Sequence, residues 1–248
     1  MEYLQLLMVF VMGVFVSSFG TLIGGGAFVV IPALIFMGLS PHVAIGTNKV
    51  GALGLFIGGW YAFNRKGVID YKLGLLMVPP AILGSFFGSL LVFELNETIL
   101  KQVIAILTIG ILLVIFFQPH LGVKHVKEKI TQKEYVIGFI LFLIIFVYMG
   151  FYGAGAGTFL VYVLILLFGQ TFIESAATNK MASLAAMVIS VAIFMINGAI
   201  NYQLGLALFS GCMLGSYLGG RFSDRIGNVW IKRAFFALVL VLSIKLLF

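Results

Sequence analysis

Residues 44–54 read AIGTNKVGALG, and residues 177–185 read ATNKMASLA. Each stretch sets an amide and a full positive charge inside an apolar run. Sliding the whole sequence so that Thr47 falls on Thr178 keeps one register without a gap. Gly24 and Gly26 fall on Gly155 and Gly157, Phe28 on Phe159, and Gly38 on Gly169. GVIDYKLGL at 67–75 falls on GAINYQLGL at 198–206, LGSFFG at 83–88 on LGSYLG at 214–219, and Lys101 on Lys232. Self-similarity at a fixed period is an internal repeat, and duplication followed by fusion accounts for it.

Composition decides the solvent. Of 248 residues, 62% are hydrophobic and 9% charged, with a mean hydropathy of +1.19. A soluble domain carries about 25% charged residues, so this chain lacks the polar groups to cover a water-facing surface and belongs in a lipid bilayer. The formal net charge of +7 reads as a matter of topology, not of nucleic-acid binding. The one cysteine, Cys212, excludes an intrachain disulfide and reads as a small packing residue in an apolar segment. The N-terminus, MEYLQLLMVF, has no basic leader and no small-residue cleavage site, so it reads as a retained first helix.

Each copy divides into five apolar segments. They run over 4–22, 27–38, 43–63, 72–93 and 98–117, then over 135–153, 158–168, 174–196, 202–222 and 229–248. Most approach the ~20 residues that span a hydrocarbon core. The second of each set, 27–38 and 158–168, is short and follows glycine: IGGGAF in copy one and YGAGAGTF in copy two. Short, Gly-interrupted segments at matching positions in two halves point to a transporter binding site. Irregular backbone at membrane depth survives where it lines a cavity or packs on protein.

Charge orients the copies. Whether the first two segments both span or form a re-entrant hairpin, each copy makes an odd number of crossings, and copy two enters upside down. One face then carries Arg65, Lys66, Lys72, Lys124, Lys127, Lys129, Lys133, Arg221, Arg225, Lys232 and Arg233, and the other only Lys101 and Lys245. Lys49 and Lys180 fall within the apolar segments. The positive-inside rule assigns the basic face to the cytoplasm and both termini to the outside. The expected fold is therefore an all-α integral membrane protein. It comprises two inverted-topology repeats of five transmembrane segments, with Gly-broken or re-entrant second segments. Residues 1–118 form repeat 1, 119–134 a basic cytoplasmic linker, and 135–248 repeat 2, together one membrane domain.

Lys49 and Lys180 are the central pair, each roughly 9 Å deep at 1.5 Å per residue. An intramembrane charge is a functional hypothesis by default; the alternative is that each lysine snorkels to its nearer interface. Two lysines favour an anion. Thr47, Asn48, Thr178 and Asn179 would add directed hydrogen bonds to it. Backbone N–H groups after the breaks, at Gly24, Gly25, Gly26 and Ala27 and at Gly155, Gly157 and Thr158, would sit at the positive ends of half-helices. A small anionic substrate such as sulfite, a sulfonate or a carboxylate suits that donor set. The competing reading of the glycines is close helix packing, which is also the simplest reading of Gly84/Gly88 and Gly215/Gly219.

The Gly-rich break, the short segment with Pro32 and the AIGTNK run resemble the TauE/SafE sulfite exporter family, also called the toluene-sulfonate uptake permease family. The resemblance covers essentially the whole chain. It implies an inner-membrane transporter of sulfur-containing or organic anions, of sulfite, sulfonate or sulfoacetate type. Copy two departs from the pattern, with GAGAG for the fuller glycine run and Val163 in place of Pro32. A lone cysteine is also unlike relatives that pass thiosulfate along several.

Other features carry less. Glu174 and Asp224 read as interface carboxylates, with gating or proton coupling as the alternative. His42, His120 and His125 fall in expected loops without metal-ligand spacing. Trp60 and Tyr61 read as an interfacial aromatic belt. No nucleotide loop, redox motif or metal set is present, so no cofactor and no enzymatic activity are expected. The partners expected are the small anion, the bilayer and protons as a coupling ion, with no nucleic acid. A secondary transporter is the leading reading. A passive anion channel would use the same residues, and a membrane-embedded enzyme or assembly factor finds few acid–base or nucleophilic groups.

Overall fold

The computed structural model describes residues 2–24, 26–104, 106 and 130–223. Gly25, Asp224, His120, His125, residues 119–129 of the linker, the end of the segment at 98–117 and the whole segment at 229–248 lie outside the described residues. So do Lys124, Lys127, Lys129, Arg225, Lys232, Arg233 and Lys245. Among the described residues the chain is helical without strands. In order come α1 (Glu2–Ile23), α2 (Ala27–Phe36), α3 (Pro41–Lys66), α4 (Tyr71–Leu76) and α5 (Val78–Phe93). Then follow α6 (97–104 in its described part), α7 (Gln132–Phe151), α8 (Ala156–Phe168), α9 (Phe172–Ile196) and α10 (Tyr202–Arg221).

Three of these are long and apolar enough to cross a membrane: Tyr3–Leu22, Gln132–Phe151 and Phe172–Ile196. The short second segments are helices of 10 and 13 residues, about 15 and 20 Å at 1.5 Å per residue, against a core of about 30 Å. The expected single segment at 72–93 is two helices, α4 and α5, broken at Met77. Pro79 and Pro80 supply the reason, because neither can donate to a carbonyl one turn earlier. Copy two has Ser210 and Gly211 at those places, and α10 runs through unbroken.

On α1 and α5 large side chains point outward and small ones inward. Leu4, Leu7, Val11 and Phe15 on α1, and Leu83, Phe86, Phe87 and Leu90 on α5, are exposed stripes at helical spacing. The opposite face of α5 sets Gly84 and Gly88 against Leu143 and Val147 of α7. Gly215 and Gly219 of α10 lie against the carbonyls of Val14 and Ser18 on α1. In a bilayer, burial of apolar surface drives little helix association, and close backbone approach with its dispersion contacts replaces it.

The helices do not sort by repeat. The largest interfaces are α3 with α10, α1 with α10, and α5 with α7, followed by α3 with α9 and α5 with α9. Each joins an element of residues 2–104 to one of 130–223. Two mixed bundles result: α1, α3 and α10 in one, and α7, α9 and α5 in the other. They are counterparts under the repeat shift, and α3 and α9 join them.

Candidate functional site

The TNK helices begin two residues earlier than expected. Lys49 and Lys180 are each eight residues past the first residue of α3 or α9, about 12 Å along the axis. Neither snorkels: Lys49 is 1% exposed and Lys180 3%. Lys49 Nζ donates to the Met149 carbonyl in the last turn of α7. Lys180 Nζ donates to the Thr21 carbonyl in the last turn of α1 at 2.6 Å. Each lysine thus closes the C-terminal end of the opposite repeat's first helix, where unpaired carbonyls and the negative dipole end favour a cation. Lys180 also lies over the Phe56 ring, 5.6 Å from its centroid.

Both lysines line one cavity of about 60 Å³. Asn48, Ser17, Tyr152 and Cys212 share its wall, with Val30, Phe56 and Met187 as apolar lining. The N-terminal turns of both short helices border it, through Gly26 and Ala27 on α2 and Gly157 on α8. The two glycine breaks meet beside it. Gly24 and Gly155, equivalent under the shift, adopt φ of +75° and +77°, a region that L side chains enter only at a cost. The Gly155 N–H donates to the Gly24 carbonyl at 3.2 Å, and a Cβ on Gly24 would come within 2.8 Å of Gly157 Cα.

The rest of the expected constellation is elsewhere. Thr47 and Thr178 do not line the cavity. Thr47 Oγ1 accepts the Asn201 N–H at 3.0 Å, and Thr178 Oγ1 accepts the Asp70 N–H at 3.1 Å. Asn201 and Asp70 are themselves equivalent positions, and they N-cap α10 and α4. Each threonine therefore ties its own repeat to the start of a helix in the other. Asn179 is also outside the cavity, its Nδ2 donating to the Ser175 carbonyl at 3.0 Å. Thr158 is buried at the start of α8 with its N–H held by the Gly155 carbonyl. So Lys49, Asn48, Lys180, Gly24, Gly26 and Gly157 converge, while Thr47, Thr178, Asn179, Gly155 and Thr158 do not line the cavity.

Two other expectations find local explanations. Glu174 closes a capping box at the start of α9: its carboxylate accepts the Thr171 N–H at 2.8 Å and Thr171 Oγ1 accepts the Glu174 N–H. His42 is not in a loop but in the first turn of α3, with its Nε2 3.2 and 3.1 Å from the Val92 and Leu95 carbonyls at the end of α5. The sequence reading missed Ser17, Tyr152, Met149 and Met187. Met187 alone carries a signal, standing at the place in copy two that matches cavity-lining Phe56 in copy one.

Comparison with known proteins places this arrangement in context. The family model described as "Sulfite exporter TauE/SafE" matches residues 9–246. A "Probable membrane transporter protein" of Haemophilus influenzae is 28% identical over 235 residues, 94% of this chain and 91% of its own length. The Escherichia coli "Probable membrane transporter protein YfcA" is 30% identical over 227 residues, 91% of this chain and 83% of its own. The Bacillus subtilis "Probable membrane transporter protein YdhB" is 26% identical over 250 residues, 99% of this chain and 100% of its own. No solved structure matches the chain.

Proposed function

The chain belongs to the TauE/SafE sulfite exporter family of membrane transporters, and on that premise we propose that it is a secondary carrier of a small oxyanion. The observation that carries the reading is one cavity lined by Lys49 from one repeat and Lys180 from the other. An ammonium has three donors, and each lysine uses one on a helix-terminal carbonyl. The remaining N–H groups, the Asn48 amide and the N-terminal turns of α2 and α8 make a donor-rich surface. Negative charge is favoured there by both the lysines and the helix dipoles.

Size narrows the substrate class. A water molecule needs about 10–15 Å³ by this measure of volume, so a cavity of about 60 Å³ holds four to six water-sized groups. Sulfite and comparable pyramidal or tetrahedral oxyanions have four or five heavy atoms. An aromatic sulfonate exceeds that volume. Within the wider class of sulfite, sulfonates and sulfoacetate, the cavity favours the smallest members.

The reading includes inverted topology. Contacts paired at matching places in the two copies support it: Thr47 with Asn201 and Thr178 with Asp70, Lys49 with α7 and Lys180 with α1. The basic faces around 65–72, 119–134 and 221–233 would lie in the cytoplasm and both termini outside, in an inner membrane. The moving units are the two mixed bundles rather than the two copies, because separating the copies would break the largest helix interfaces. Rocking at α3 against α9 would move the lysines relative to each other and open the cavity to alternate sides.

Purified protein in liposomes tests this. Trapped unlabelled sulfite is expected to accelerate uptake of labelled sulfite in a saturable manner, and the membrane conductance is expected to stay at background. Conductance without counterflow would establish an anion channel, and silence in both would remove the transport reading.

A further inference from the structure

Among the described residues, four polar oxygens in repeat 2 are buried without a hydrogen-bond partner: Gln170 Oε1, Ser175 Oγ, Asn179 Oδ1 and Ser183 Oγ. None of the four residues is more than 3% exposed. Ser175, Asn179 and Ser183 are four residues apart in turn, so they lie on one face of α9 with a rise of about 6 Å between neighbours. Gln170 stands at their head, its Nε2 donating to Thr178 Oγ1 at 3.4 Å. At the other end, Ser183 is three residues from Lys180 and shares its side of the helix. Repeat 1 has Leu39, Ala44, Asn48 and Ala52 at the matching places. Asn48 already belongs to the cavity wall, so the remaining three are hydrocarbon.

We propose that this face of α9 is a hydrated path that carries the coupling proton between Gln170, in the turn joining α8 to α9, and Lys180, and that only repeat 2 has one. The inference rests on the transport reading above. Buried oxygens of this kind call for a partner, and where protein supplies none, water does. Water between neighbours one helical turn apart links them into a file. Serine hydroxyls both donate and accept, as a proton relay requires. The path does not suit the anion. Each of the Gln170 and Asn179 amides spends an N–H within the protein, and the atoms left without a partner along the path are oxygens, a lining that favours water and protons over an anion. It does not suit a metal cation either, since the oxygens are strung in a line and end at an ammonium that would repel it. A proton can instead be exchanged with that group: an Nζ–H bond breaks, the nearest water takes the proton, and each link passes one on.

Few other titratable groups compete. Lys180 shares the cavity with Lys49 from α3, Tyr152 from the end of α7 and Cys212 from α10. α5 has no titratable side chain. On α4, Asp70 meets α9 through its backbone N–H at Thr178. Tyr162 on α8 and Tyr148 on α7 are phenols, and Tyr148 donates to the Ala154 carbonyl. Glu174 is the cap at the entrance. On α1, Glu2 and Tyr3 are at its N-terminal start.

The test installs the repeat-1 side chains, Gln170→Leu, Ser175→Ala and Ser183→Ala together, in the full chain reconstituted in liposomes. Sulfite self-exchange at equal pH needs no net proton movement and is expected to stay near the wild-type rate. Sulfite accumulation driven by a pH gradient, and the matching signal of a trapped pH dye, are expected to fall about tenfold or more. Ser190→Ala serves as the folding control. It removes a hydroxyl from the same face, but one already bonded to Ser89 Oγ at 2.9 Å, and both activities are expected to persist. A triple variant that exchanges sulfite and still accumulates it with the pH gradient would overturn the path and leave the four oxygens as a resting place for structural water. So would accumulation in the wild type that follows sodium and ignores pH. A wild type that exchanges no sulfite would instead overturn the transport reading.

Discussion

Replacing Lys49 or Lys180 by glutamine separates charge from hydrogen bonding. Glutamine keeps an N–H for the Met149 or Thr21 carbonyl that the lysine now closes, so the apo protein is expected to lose only about 1 kcal/mol through the helix-terminus charge. The anion loses far more. An ammonium and a unit anion 4 Å apart attract by about 4 kcal/mol at an effective dielectric near 20, and a charged hydrogen bond is worth about 1.5–3 kcal/mol net. Taking about 2.7 kcal/mol per lysine, Kd for sulfite rises about 100-fold in either variant. Thermal unfolding with added sulfite reads this directly. At 100 times its Kd a ligand stabilises the folded state by about 2.7 kcal/mol. A variant with Kd raised 100-fold then gains RT ln 2, about 0.4 kcal/mol, at the same concentration. The two variants should match, because the two lysines line the same cavity and make equivalent carbonyl contacts. Undiminished stabilisation by sulfite in either variant would refute the paired-lysine site.

The rest of the architecture makes further predictions. Thr47→Val and Thr178→Val each strand a helix-capping N–H, of Asn201 or Asp70, and should cost about 1–3 kcal/mol in thermal unfolding. Thr178→Val should be the worse of the two because Gln170 Nε2 loses its acceptor as well. Neither should change sulfite KM if the threonines are latches rather than ligands. Gly24→Ala combines φ of +75° with a Cβ 2.8 Å from Gly157 Cα, and folded yield by size exclusion should collapse. Gly38→Ala has φ of +97° but open space around it, and should cost only about 1–2 kcal/mol. Cys212 is the chain's one cysteine and lines the cavity, so a small thiol reagent should inactivate exchange, with sulfite slowing the modification. Cys212→Ser should remove that sensitivity.

The repeat and its register were legible because glycines and the TNK triplets are individually constrained, and two constrained patterns in one register have few accidental origins. Lys49 and Lys180 stood out in the sequence as matching charges in apolar runs, and both line one cavity. What the residues then do could not be read along the chain. Thr47 and Thr178 belong to the same triplets, yet each is engaged by the backbone of the other repeat, and that engagement depends on which helices neighbour which. The mixed bundles are likewise a tertiary outcome, since α3 sets the GxxxG pair Gly54 and Gly58 against the Phe209 and Met213 carbonyls of α10, and such a pair does not name its partner helix. The Pro79–Pro80 break was readable: two prolines remove two helix donors, and Ser210 and Gly211 at the matching places keep α10 whole. The polar face of α9 was equally open to inspection, but comparing the copies for likeness passes over the places where only one of them is polar.

Calorimetric titration of the purified protein with sulfite tests the central claim that two lysines hold one anion between them. The account predicts one sulfite bound per chain, with that single event abolished at the same concentrations by Lys49→Gln and by Lys180→Gln alike. Two sulfites per chain, with each substitution removing one and sparing the other, would contradict it.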